Sequence, residues 1–403
     1  MMQRREFAKL AGAASAAPFL AAAGKKPRVA AIVTEYRHYS HADVIVGRLL
    51  GGNSANGTHH APRTQVVSLY TDQSPQQDMA PDLAARFGFR RFPTIREALT
   101  LGGAKLAVDA VCFVGEHGNY PWNDLGQHLY PRYELFNQIL DVYESGGRAV
   151  PTFFDKHLSY SWQKAKGIYD RAAKLKVPWM AGSSIPVTIR TPLLEIPLET
   201  PLEAAAGLGY GPHDAYGFHL LESIQCMLER RAGGETGIAQ VEWIENDAVM
   251  NWLASENGKW ALPLLEEAHA RNASRKGPLQ QAANKPVLFS LRYKDGLKAV
   301  GLILGPSGAD WSFACRRKGA SSIDSTFFGL SPKGRPLPHF DGMVHCIEDM
   351  FVSGKPAYPV ERTLLTTGAL AFLFESKKQR SAVDTPDLSV VYRAAKNTFF
   401  QRA

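Results

Sequence analysis

The chain has 403 residues, 45% of them hydrophobic and 21% charged, with 25 prolines and 35 glycines. These values exclude a disordered chain and a fibrous repeat, and the length favours two domains over one. The net charge of +8 is spread along the sequence with only short clusters, such as Arg316-Arg317-Lys318 and Lys377-Lys378, which argues against nucleic-acid binding.

At the N-terminus, Arg4-Arg5 is followed by Phe7, an alanine-rich apolar run over 10–23 and a small-residue exit at Ala21-Ala22-Ala23. This pattern reads as a twin-arginine export signal over 1–24, and it makes the protein periplasmic or otherwise exported. The run is too short and too rich in alanine for a stable membrane span. Its removal takes away Arg4, Arg5, Lys9 and Glu6, leaving 43 basic against 37 acidic residues, a net charge of +6. That export route carries folded cargo, often with a cofactor already bound, which favours a redox enzyme. Cys112, Cys226, Cys315 and Cys346 include no Cys-x-x-Cys pair, so they leave room for one disulfide but predict neither a disulfide framework nor a zinc site.

In chain order, 26–33 (KPRVAAIV) predicts a buried strand and 40–50 a helix with Ser40 as its N-cap, followed by a polar loop over 51–63. A second strand is expected over 64–70, helices over 80–87 and 94–101, and a further strand over 107–114. The segment 130–145 is amphipathic, with Leu135, Ile139, Leu140 and Val142 on one face, and strands follow over 148–154 and 177–183. Strands alternating with helices at this spacing imply βαβ units and a parallel sheet. The pattern changes beyond a boundary placed near Gly182. A proline-rich extended stretch over 186–201 leads to a helix over 218–231, a strand over 238–245, strands over 286–293, 298–304 and 311–316, and a final helix over 363–377. Several strands with few helices between them imply a mostly antiparallel sheet. The expected fold class is therefore α/β: a Rossmann-like parallel sheet over 25–182, then an α+β domain with an open, mostly antiparallel sheet over 183–403. The last helix is expected to return to the first domain.

Four ordered segments carry a resemblance: Val108-Asp109-Ala110-Val111; Phe154-Asp155-Lys156-His157-Leu158-Ser159 between a strand and a helix; Asp214-Ala215-Tyr216-Gly217-Phe218-His219 at a helix start; and 344–359 with Gly354-Lys355-Pro356, followed by 361–376. Together they resemble the glucose–fructose oxidoreductase and inositol dehydrogenase family (Gfo/Idh/MocA) over about 28–391. The resemblance implies that Lys156 matches the lysine of the family's Glu-Lys-Pro segment, which holds the alcohol oxygen as hydride leaves carbon. It implies that His219 matches the general acid/base, helped by a nearby aspartate. A compact ammonium suits the first role and a group titrating near neutrality the second. Asp155 stands for the family's glutamate and His157 for its proline. Asp214 comes one residue earlier than the family's acid, so it is either a catalytic carboxylate or an N-cap. Lys156 read alone is also compatible with a surface lysine at a strand end, and His219 with a histidine satisfied in an interface.

The nucleotide loop departs from the pattern. A dinucleotide fold needs G-x-G-x-x-G between its first strand and helix, and here Thr34, Tyr36 and Tyr39 fill the glycine positions, with Glu35 adding a repulsive charge. Side chains are expected in the diphosphate's space, while Arg37, Ser40, His41 and the helix N-terminus could still grip an anion. Asp72, past the second strand, would bind ribose hydroxyls and favour NAD over NADP, or is an ordinary turn aspartate. The resemblance places Glu116 and His117 beside the nicotinamide ribose. His38, His41, His117 and His157 all follow strands, which raises a metal site, but there is no H-x-x-x-H or H-x-H pair, the H-x-x-H of His38 and His41 alone is a weak signal, and no metal is assigned.

The leading expectation is an exported oxidoreductase that passes hydride between a sugar or cyclitol hydroxyl and tightly bound NAD or NADP. The alternatives are a carbohydrate-binding protein without cofactor, or a metal- or acid/base-dependent sugar lyase or hydrolase on the same fold. The expected partner is a small carbohydrate or cyclitol. The resemblance adds self-association through the open sheet.

Overall fold

The computed structural model describes residues 25–272, 275, 277–305, 311–330 and 337–402, so the expected export signal over 1–24 lies outside the described residues. The first unit runs β1 (Arg28–Val33), α1 (His41–Gly51), β2 (Gln65–Thr71), α2 (Ala80–Phe87), β3 (Arg90–Arg91), α3 (Ile95–Thr100), β4 (Ala110–Val114), α4 (Arg132–Gly146), β5 (Thr152–Asp155), α5 (Trp162–Lys174) and β6 (Trp179–Gly182). Its six strands are parallel in the order β3-β2-β1-β4-β5-β6. Helices cover both faces of the sheet, so β4 is buried throughout and β1 from its second residue, and both read as continuous apolar runs. The strand order reverses between β1 and β4. A crevice therefore opens at their carboxyl ends, where such sheets bind ligands.

The second unit contains β7 (Ile189–Thr191), β8 (Leu202–Gly209), α6 (Ala215–Leu228), β9 (Ile238–Glu245), α7 (Asp247–Ala254), α8 (Leu262–Arg271), α9 (Leu279–Ala282), β10 (Val287–Tyr293), β11 (Lys298–Ile303), β12 (Trp311–Arg317), β13 (Ile323–Gly329), α10 (His339–Ser353), α11 (Glu361–Gln379) and β14 (Val383–Asp384). Its eight strands lie in the order β14-β9-β10-β11-β8-β12-β13-β7, with β11 and β8 parallel and the other described pairs antiparallel.

Strand β8 was not expected from sequence, because its run LEAAAGLG lacks the β-branched and aromatic residues that mark strands. Its small side chains have a packing reason. A Cβ on Gly207 would lie 2.6 Å from Cγ1 of Ile224, and one on Gly301 2.9 Å from Cδ2 of Leu220. Glycine in the sheet thus lets α6 approach closely. The alternate residues Ala204, Ala206 and Leu208 pack with Leu264, Leu265 and Ala268 of α8. Helix α8 therefore covers the face that the resemblance offers for self-association.

Two helices tie the units together. Helix α10 packs Phe340, Met343, Val344 and Ile347 into one cluster with Val44 and Ile45 of α1. On α11, Thr363 donates to the carbonyl of Ala181 in β6 at 2.8 Å, while Arg362 pairs with Glu229 after α6 at 2.6 Å, both side chains only 1% exposed. Among the described residues, no helix is long and apolar enough to cross a membrane.

Candidate active site

The site is built where β1, β4 and β5 end and α6 begins. Lys156 follows β5 directly and has φ 71°, a left-handed conformation that costs a side-chain-bearing residue roughly 1–2 kcal/mol. Its amide donates to the carbonyl of Gly182 at 3.0 Å, which fixes the turn and sends the side chain into the crevice. There Nζ lies 2.5 Å from Nε2 of His219, on the second turn of α6. Burial and then the Lys156 charge push the His219 imidazole well below its ordinary pKa, so the ring is neutral and Nε2 accepts from the ammonium. The proton of His219 then sits on Nδ1, a buried atom with no hydrogen-bond partner among the described residues. Burial also lowers Lys156, against the pull of Glu116 and Asp155.

Glu116, after β4, holds Oε1 3.9 Å from Nζ of Lys156. Its other oxygen is clamped by Arg132, at the start of α4, which also donates to the carbonyl of Gly115 at 2.8 Å and to Nε2 of His157 at 2.8 Å. Burial alone would raise the Glu116 pKa, but Lys156 and Arg132 outweigh it and hold the group below the usual carboxylate range. Arg132 was missed from sequence. The available signal was its place on the apolar stripe of α4, in line with Leu135, Phe136 and Ile139, where an arginine needs a buried partner.

A second histidine contact, that of His41 with Asp155, stands beside the Lys156–His219 pair. Nδ1 of His41, the first residue of α1, lies 2.6 Å from Oδ2 of the wholly buried Asp155. The His41 amide donates to Nδ1 of His117 at 3.2 Å, and burial followed by His41 pushes His117 down to about 3. Asp214 occupies the cap position of α6 but makes no side-chain cap. Instead Oδ2 accepts from the amide of His128 at 3.0 Å, Oδ1 lies 4.0 Å from Nε2 of His157, and burial raises the group to about 6. The capping role expected as one alternative is therefore not made, and no hydrogen bond joins Asp214 to Lys156 or His219.

Of these groups, Lys156, His219, Glu116, His41 and His117 line a cleft of about 270 Å³ between the two units. The second unit contributes Tyr210, Tyr216 and Trp311, with the Tyr216 and Trp311 rings stacked at 5.6 Å, and α10 contributes His339 and Phe340. None of these five was singled out from sequence, although Tyr216 stands inside the Asp214–His219 segment. A larger recess of about 440 Å³ beside α7 and α9, lined by Asn246, Asp247 and Gln280, has no comparable cluster.

No protein family's sequence profile matches the chain, and no curated protein matches it in sequence. Solved structures do match in fold. Myo-inositol dehydrogenase from Lactobacillus casei, in complex with NAD(H) and myo-inositol, aligns at a TM-score of 0.56 over 93% of this chain and 100% of that one, with 13% identity. GenD2 from gentamicin A biosynthesis, in complex with NAD, aligns at 0.55 over 90% and 97%, with 14% identity. Myo-inositol 2-dehydrogenase from Lactobacillus plantarum aligns at 0.54 over 89% and 99%, with 11% identity. The chain has the Gfo/Idh/MocA fold.

On this Gfo/Idh/MocA frame the nucleotide end is rebuilt. Tyr36 does not fill the diphosphate's space as expected; its ring turns under α1, wholly buried, with its hydroxyl beside Gly47. The change lies in where the polar groups are committed. Oγ of Ser40 accepts from the amides of Arg37 and Asp43, both at 3.3 Å, and Tyr39 donates its amide to Oδ2 of Asp43 at 2.9 Å. The Arg37 guanidinium pairs with Glu35 at 2.6 Å, and Oγ1 of Thr34 donates to the carbonyl of Glu116 at 2.8 Å. Asp72 accepts from the hydroxyls of Tyr70 at 2.9 Å and Tyr120 at 2.6 Å, so both oxygens expected to meet a ribose are engaged. With these donors spent and Glu35 and Asp43 adding negative charge, the residues do not fit a diphosphate at the N-terminus of α1. All four cysteines are buried and unpaired. Among the described residues no group of three or more His, Cys, Asp or Glu side chains is placed to hold a metal ion.

Proposed function

We propose that the chain is an enzyme of carbohydrate or cyclitol chemistry, working at an oxygen-bearing carbon with Lys156 and His219. The observation that carries this reading is the 2.5 Å contact between Nζ of Lys156 and Nε2 of His219 on the wall of a cleft faced by Tyr216 and Trp311. A substrate oxygen beside Nζ receives a charge-assisted hydrogen bond, which stabilises negative charge as it develops there. Because the ammonium already shares a proton with His219, the pair can give or take a proton at that oxygen. The aromatic rings offer apolar faces to a sugar or cyclitol ring, and the polar groups opposite orient its oxygens.

A second reading, an NAD- or NADP-dependent dehydrogenase of the same compounds, is favoured by the NAD complexes of the fold neighbours. The committed side chains at the nucleotide end weigh against it, and the retained Lys156 and His219 are compatible with both readings. Export by the twin-arginine route belongs to the proposal too, resting on Arg4-Arg5 and the apolar run that follows.

The test is turnover of a panel of inositols, inososes, aldoses and ketoses by the purified protein, with and without NAD or NADP, read by mass spectrometry and NMR. Conversion that is lost in Lys156→Met supports the reading. Conversion that survives that substitution, or none across the panel under either condition, contradicts it.

A further inference from the structure

Resting on that reading, we infer that His41, held by Asp155, is the general base of the cleft, and that its substrates are carbonyl-bearing sugars or cyclitols enolised without a nucleotide. The helix end that meets a diphosphate in dinucleotide-binding sheets here presents an imidazole to the cleft, with a wholly buried carboxylate behind it. Asp155 accepts the Nδ1 proton at 2.6 Å, which leaves Nε2 as the basic nitrogen open to a molecule in the cleft. Asp155 and Lys156 are consecutive, so one strand end holds the base's carboxylate and the cationic group together.

Among the described residues, none of the other imidazoles of the cleft has a carboxylate on its Nδ1. His117 receives the His41 amide on Nδ1, Glu116 is clamped by Arg132, and His339 bonds through Nδ1 to the carbonyl of Leu330 at 3.0 Å. His219 already accepts the Lys156 proton on Nε2. His41 is the imidazole with a carboxylate behind it and a free face toward the substrate.

The chemistry follows from which carbon acid an imidazole can deprotonate. The C–H of a plain alcohol is out of reach, and breaking it needs a hydride acceptor. A C–H next to a carbonyl is acidic enough when the carbonyl oxygen is held by a cation. In the proposed step Lys156 holds the carbonyl oxygen and Nε2 of His41 takes the proton from the neighbouring carbon. The C–H electron pair becomes the carbon–carbon double bond, the carbonyl π pair moves to oxygen, and that oxygen takes a proton from Lys156. Return of the His41 proton to either carbon, as the hydroxyl on the other carbon gives its proton back to Lys156 and becomes the carbonyl, yields the substrate, its epimer or the isomeric carbonyl compound, with no net oxidation.

The experiment is deuterium wash-in from D2O. The purified protein is incubated without nucleotide with 2-keto-myo-inositol, D-fructose, D-glucose, D-xylose and D-xylulose, and carbon-bound deuterium is read by mass spectrometry and NMR. The inference expects incorporation into at least one compound, reduced at least roughly hundredfold in His41→Ala and partly restored by added imidazole. Asp155→Asn, nearly isosteric, is expected to lower kcat at least roughly tenfold with KM within about twofold. Thermal melts of both variants report folding. Absence of wash-in across the five compounds, or wash-in unchanged in folded His41→Ala, overturns the inference. Wash-in that needs Lys156 but not His41 overturns it while leaving the proposed function standing. Turnover of polyols only with NAD overturns it in favour of the dehydrogenase reading.

Discussion

Nζ of Lys156 and Nε2 of His219 lie 2.5 Å apart although 63 residues separate them in sequence, one at a strand end of the parallel sheet and the other on a helix of the second unit. Either charge state of one residue therefore sets the basicity of the other. Lys156→Met removes the charge that, after burial, most depresses His219. The His219 pKa is expected to rise while staying below 6.5, because burial persists, and turnover is expected to fall by roughly a thousandfold. Imidazole NMR titration and steady-state kinetics check both, and an unmoved His219 titration would contradict the contact.

Glu222, one turn after His219, makes stability depend on pH. It is wholly buried, accepts from the amide of Ser183 at 3.1 Å, lies within hydrogen-bond distance of the hydroxyl oxygens of Thr363 at 3.2 Å and Thr366 at 3.1 Å, and burial raises its pKa from 4.5 to about 7. The folded state therefore prefers the protonated form. That contribution is full below pH 4.5 and is lost as pH rises through about 7. Across this window wild type should lose about 3 kcal/mol relative to Glu222→Gln, which does not titrate. Thermal melts at pH 5 and pH 8 should show the difference between the two proteins shifting in favour of the variant. A difference independent of pH contradicts the assignment.

Gly207 is a packing requirement of the sheet rather than a turn. Gly207→Val would drive a side chain into Ile224 and Leu220 and should cost about 1–3 kcal/mol, read as a lower urea midpoint with an unchanged m-value. A neutral substitution would mean that α6 sits further from β8.

Those glycines also show where sequence reading stops. The parallel sheet was legible because its central strands β1 and β4 are buried on both faces and read as apolar runs, whereas β3, the exposed pair Arg90–Arg91, carries no such signal. Strand β8 was not, because close approach of α6 demands alanine and glycine where strand propensity asks for bulk. Lys156 and His219 were legible only through resemblance, since each type is common at strand ends and on helices. The His41–Asp155 pair was not legible, because 114 residues separate its members and each had been given a separate role. Tyr36 was expected in the ligand's space, but an aromatic ring at that position gains more by burial under α1 than by facing solvent. Asp72 was read as a ribose ligand or a turn aspartate, and of the two tyrosines that bind it Tyr120 comes from a connection 48 residues away.

The most direct test of the account is calorimetric titration of the purified, folded protein with NAD and with NADP, preceded by a search for nucleotide released on denaturation. With the amides of Arg37 and Asp43 committed to Ser40, that of Tyr39 to Asp43 and that of His41 to His117, and Asp72 bound to two tyrosines, the account predicts no co-purified nucleotide and no saturable binding up to roughly 1 mM. Stoichiometric nucleotide in the purified protein, or a dissociation constant in the micromolar range, would contradict it and establish the dehydrogenase reading in its place.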